Sequence, residues 1–93
     1  MVSDQPVGVD VEGIREYRES LVNYTMNDEE ITLIKSAENH AAAFIRLWTM
    51  KEATTKLIGT GISNDMKTVL DPTKYKYTTV DRQRYIYTIC ENL

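Results

Sequence analysis

Apolar and polar residues alternate cleanly over Val7–Glu12, VGVDVE. Val7, Val9 and Val11 fall on one side and Gly8, Asp10 and Glu12 on the other, the period-2 signature of a strand with one apolar face. The period then lengthens. Ile14–Val22 reads as a short helix. Asn27 followed by Glu30 has the form of a capping box and opens a helix to about Ala37. A long helix follows from about Asn39 to Ile58, with Gly59 suited to its C′ position. Ser63–Lys74 reads as irregular chain interrupted by Pro72. YKYTTVD and RYIYTICE alternate again as two strands around Arg82-Gln83. The order strand, three helices, two strands predicts an α+β domain, with a small antiparallel sheet packed on the long helix.

Composition narrows the function classes. The 93 residues suit a single domain, residues 1–93, with 42% hydrophobic and 27% charged content. The net charge is −3 and no Lys/Arg block stands out, which argues against nucleic acid. No apolar run approaches the roughly 20 residues needed to span a bilayer, and the first residues lack the layout of a signal peptide. The lone Cys90 forms no internal disulfide and suits a reducing cytoplasm.

Three charges interrupt the apolar pattern of the long helix in LWTMKEATTKLIGTG. Trp48, Glu52 and Lys56 recur at i, i+4 and i+8 and form one stripe, and Lys51 falls between Phe44 and Leu47 beside it. A partly exposed helix with a Glu52–Lys56 ion pair accounts for this. So does a third carboxylate joining Asp10 and Glu12 around a hard cation such as Mg²⁺, with the lysines facing an anion. Asp10 and Glu12, two apart on a strand, equally suit a polar face meeting water. Gly59-Thr60-Gly61 fits a helix cap and turn, or a close backbone approach to a ligand. His40 matches no site pattern and reads as a helix-edge histidine.

Taken together and in order, Gly8, Asp10, Glu12, Trp48, Thr49, Lys51, Glu52, Ala53 and Lys56 resemble the signature of the 4′-phosphopantetheinyl transferases. The likeness runs from about Pro6 to Ile62 and is closest to the second half of the two-unit, Sfp-type class. It implies the fold read above. It also implies transfer of the phosphopantetheine arm of coenzyme A to a serine of an acyl or peptidyl carrier protein. Asp10, Glu12 and Glu52 would then hold Mg²⁺, Lys51 and Lys56 would meet phosphate, and Glu52 and Lys56 would act in catalysis. Arg15, Arg18 and Lys35 are candidate carrier contacts. The resemblance implies a His- and Ser-containing segment from the other unit, and the residues MVSDQP before the first strand do not match it. The expectation is a half-enzyme that pairs with itself as a homo-oligomer, most simply a dimer, through the first strand and the hairpin tyrosines Tyr75, Tyr77, Tyr85 and Tyr87. Two rivals remain: a non-catalytic interaction domain that keeps the fold, and an unrelated Mg²⁺-dependent phosphohydrolase.

Overall fold

The computed structural model describes residues 5–59 and 66–93. Its elements are β1 (Val7–Gly13), α1 (Glu19–Thr25), α2 (Asp28–Ser36), α3 (His40–Ile58), β2 (Tyr75–Asp81) and β3 (Tyr85–Asn92). The strands form one antiparallel sheet in the order β1-β3-β2. The α+β reading therefore holds, and α3 is the element that covers the sheet.

The helix ends follow their capping chemistry. Asn27 accepts the Glu30 N–H, and Glu30 Oε1 accepts the Asn27 N–H, completing the capping box of α2. Asn39 caps α3 by accepting the Ala42 N–H at 3.0 Å. Gly59 ends it in the left-handed region at φ 82°, its N–H on the Thr55 carbonyl. The remainder of the turn expected at Thr60 and Gly61 lies outside the described residues.

Helix α1 starts later than expected, at Glu19 instead of Ile14. The Ile14 N–H is committed to the Arg84 carbonyl at 2.9 Å, which prolongs the β1–β3 pairing past Gly13. Ile14 and Tyr17 instead pack their side chains against the core of Val22, Met26, Ile34, Phe44, Ile45 and Ile86. Tyr17 lies 4.8 Å from the Phe44 ring, which in turn stacks on Trp48 at 6.1 Å.

Strand β1 faces α3 with its polar side, while β3 adds Ile86 and Cys90 to the same buried face. Gly8 and Asp10 are buried, whereas Val7, Val9 and Val11 are 42%, 44% and 56% exposed. Gly8 makes this possible. A Cβ there would stand 1.9 Å from the Ala53 carbonyl oxygen and 2.8 Å from the Leu57 nitrogen, so only glycine lets the α3 backbone lie directly on β1. In register, the row Asp10–Thr88–Thr79 runs beneath α3. Thr88 shares hydroxyl hydrogen bonds with Thr49 at 3.0 Å and Thr79 at 2.9 Å, which satisfies these buried polar groups. The opposite face carries Val7, Val9 and Val11 with Ile89, Tyr87, Tyr85 and Val80, and no described residue covers it.

The four hairpin tyrosines divide between the two faces. Tyr85 and Tyr87 lie on the uncovered side, opposite Gly13 and Val11. Tyr77 turns inward. Its hydroxyl accepts from the Asp71 N–H at 3.1 Å and from the Thr54 hydroxyl at 3.2 Å, with Tyr75 edge-on beside it.

Candidate active site

The close approach at Gly8 sets Asp10 beneath the last turns of α3. Lys56, which projects there from a half-exposed position, donates from Nζ to Asp10 Oδ1 at 2.9 Å. Asp10 is 5% exposed. Its second oxygen, Oδ2, is buried and accepts no hydrogen bond among the described residues. Glu12 lies further out and binds Arg15 at 3.2 Å, while Arg15 also donates to the Gly13 carbonyl. This occupies one of the three basic side chains considered for carrier docking.

Glu52 completes the group electrostatically. Burial holds its carboxyl above the usual range, the Asp10 and Glu12 charges push it the same way, and Lys56 opposes them. The Lys56 ammonium is raised in turn, first by its hydrogen bond to Asp10 and then by the surrounding carboxylates, against the opposing effect of burial. The structure thus brings Asp10, Glu12, Glu52 and Lys56 into one interacting set. The ion pair that forms is Lys56–Asp10, joining helix to strand, in place of a Glu52–Lys56 pair along the helix.

Lys51 stands apart from this set. It is fully buried, and its Nζ donates to Glu30 Oε1 at 2.8 Å and to the Met66 carbonyl. Asn27 reaches the same segment through Nδ2 to the Lys67 carbonyl at 3.2 Å. Lys51 therefore ties α3, the start of α2 and the chain at Met66 together, and its ammonium has no exposed surface to offer a phosphate.

Oxygen donors alone, one of them a buried and unpartnered Asp10 oxygen, suit a hard divalent cation in chemical type. Their present spacing does not form a ready cage. Among the described residues, no three His, Cys, Asp or Glu side chains stand close enough to hold one ion. Sequence reasoning missed Glu30, Thr49 and Thr88 as supports of the site. The capping box marked Glu30 and the family signature included Thr49, but neither gave them this role, and nothing in the local pattern marked Thr88.

A separate cleft of about 310 Å³, lined by Glu16, Tyr17, Glu19, His40 and Ala41, opens at the other end of α3. That is roughly 18 Å along the helix axis from Glu52. His40 is exposed there, in keeping with the helix-edge reading.

The structure presses the Gly-x-Asp-x-Glu strand of a small sheet against the Lys-Glu-Ala-x-x-Lys turn of a long helix, bringing together the two motifs that resemble the phosphopantetheinyl transferase signature. The model of the 4′-phosphopantetheinyl transferase superfamily matches residues 6–90, and the chain belongs to that family. It is 39% identical over 64 residues to the 4′-phosphopantetheinyl transferase psf-1 of Bacillus pumilus, a match spanning 67% of this chain and 28% of that protein. Its fold is also that of the crystal structure of Thermotoga maritima holo-(acyl-carrier-protein) synthase (AcpS), with a TM-score of 0.66 over 95% of this chain and 64% of that one. Identity to the latter is 14%, so that likeness is one of fold. The chain thus spans less than a third of its curated relative and less than two thirds of its structural one.

Proposed function

We propose that this unit supplies the acid and lysine half of a site that moves 4′-phosphopantetheine from coenzyme A to a serine of an acyl or peptidyl carrier protein. The observation that carries the reading is the joining of Asp10, Glu52 and Lys56 across the β1–α3 contact, at the positions of the family motif. In the reaction the serine oxygen forms a bond to the β-phosphorus of coenzyme A. The bond from that phosphorus to the bridging oxygen breaks, and adenosine 3′,5′-bisphosphate leaves with the electron pair. Glu52, whose carboxyl is raised first by its burial, takes the serine proton directly or through water. Lys56 meets a phosphate oxygen. Asp10 Oδ2, with Glu12 and Glu52, would hold Mg²⁺, which supplies neutralisation of pyrophosphate charge. Lys51 contributes by fixing α3 against α2, a supporting role in place of the phosphate contact that the resemblance implied.

The resemblance to the two-unit class implies that the nucleotide end of coenzyme A draws on residues of a second unit. The exposed valine face of β1, continued by Ile89, Tyr87 and Tyr85, supports pairing there, and a homodimer is the simplest form. No helix of the described residues is long and apolar enough to cross a membrane. That fact and the free Cys90 are compatible with a cytoplasmic setting.

Calorimetric titration of coenzyme A with and without Mg²⁺ tests the reading. Mg²⁺-dependent binding, abolished by Asp10→Asn, is expected; metal-independent binding or none favours a non-catalytic interaction domain. Mass spectrometry of an apo carrier protein incubated with coenzyme A and this chain then reads transfer. It is expected to be slow or absent for the chain alone, and efficient modification would refute the need for a second unit.

A further inference from the structure

The two oxygens of Asp10 have different surroundings. Oδ1 holds the Lys56 ammonium at 2.9 Å; Oδ2 is buried and unpartnered among the described residues. A buried carboxylate oxygen without a donor costs free energy, so the arrangement favours any cation that can serve both atoms. A hard divalent ion is such a cation, yet the position beside Oδ1 is already filled. The Lys56 side chain is 53% exposed and enters from the rim of the site, so the ammonium can withdraw without disturbing the core. Lys51, with no exposed surface and partners on α2 and at Met66, has no comparable freedom.

We propose that Lys56 is the resident counter-cation of Asp10, and that a divalent cation enters this site only by displacing it. This rests on the reading of Asp10 as a metal ligand given above. Displacement frees the ammonium one helical turn from Glu52, beside the newly bound cation, where an anionic pyrophosphate has two positive partners in place of one. Cation and anion therefore load cooperatively, and the cation alone binds more weakly than its donors would otherwise allow.

The test uses Mn²⁺ alone, titrated into the full chain without coenzyme A and followed by the paramagnetic resonance of free Mn²⁺. Lys56→Gln is expected to bind Mn²⁺ about tenfold more tightly or better, because a unit charge some 3 Å from the ligand oxygen is removed. Lys56→Arg, which keeps the charge, should stay near the original affinity. Lys35→Gln, which removes an equal charge from the exposed end of α2, should change little. Without metal, Lys56→Gln should melt at a lower temperature than the original chain, and Mn²⁺ should restore it. If Lys56→Gln binds no more tightly than the original, or if Lys35→Gln tightens binding as much, displacement is wrong while Asp10 stands as a ligand, provided Asp10→Asn abolishes binding. If neither the original chain nor Lys56→Gln binds Mn²⁺ at millimolar concentration, displacement and the metal reading fall together.

Discussion

Replacing Lys51 by Met removes a buried ammonium while keeping most of the side-chain volume. Glu30, itself nearly buried, then loses its cation but keeps the Asn27 N–H, and the Met66 carbonyl loses its Lys51 donor. Breaking one side of a buried ion pair costs about 3–5 kcal/mol, chiefly through the charge left behind. A 93-residue domain has a total stability of about 5–14 kcal/mol, so this is a large fraction. With a urea m-value of about 1.5 kcal/mol/M, the midpoint should fall by about 2–3 M. Adding Glu30→Gln removes the stranded charge while keeping an oxygen for the capping box. The double variant should therefore be more stable than Lys51→Met alone, with a total loss of about 1–2 kcal/mol. Under conditions where Lys51→Met remains folded, coenzyme A affinity should be essentially unchanged. Urea denaturation followed by circular dichroism, with calorimetry for the ligand, measures both. A loss below about 1 kcal/mol, strictly additive effects in the double variant, or a selective loss of coenzyme A binding would each refute the supporting role.

Gly8→Ala should destabilise by about 3 kcal/mol, because the new Cβ meets the Ala53 carbonyl and Leu57 nitrogen of the helix backbone, which cannot rotate away; chemical denaturation reads the loss. Val9→Glu, on the uncovered sheet face, should leave monomer stability within about 0.5 kcal/mol but shift light scattering from dimer to monomer, and a wild-type chain that is already monomeric at high micromolar concentration contradicts the pairing. Cys90 should resist thiol reagents in the native state and react only on unfolding. Burial pushes its thiol up, so its contribution to stability is intact below the pH at which an unfolded chain's thiol ionises and declines above it, readable as a falling midpoint in alkaline denaturation.

Where an element's identity rests on local chemistry, the sequence declared it. Asn27 with Glu30, Asn39 and Gly59 mark helix ends that depend on side-chain oxygens or a left-handed φ, and these stand where the pattern put them. The alternation of β1 declared two faces but not which of them α3 would cover. That choice depends on a contact between residues distant in sequence, the helix backbone at Ala53 and Leu57 against Gly8. The same limit applies to Lys51. Its helical phase placed it beside apolar neighbours, but its partner Glu30 lies on another helix. The start of α1 was misread because Ile14 has the spacing of a helix residue while its N–H belongs to the sheet. The alliance of Asp10, Glu52 and Lys56 was legible through the spacing of a family motif; the pairing of Lys56 with Asp10 was not.

The strand order has a consequence for how the protein is made. Asp10 lies on β1, whose sheet neighbour within the chain is β3, with Gly8 opposite Cys90 and Val7 opposite Glu91. During synthesis the helices can form as they emerge, but β1 has no pairing partner until β3 leaves the ribosome. Until then the valines of β1 and an unpaired strand edge remain open to other chains. Closing so long a loop also slows folding relative to local contacts. Nascent chains stalled before β3 should therefore hold both Asp10 and Lys56 but leave β1 with only α3 to pack against and its strand edge unpaired.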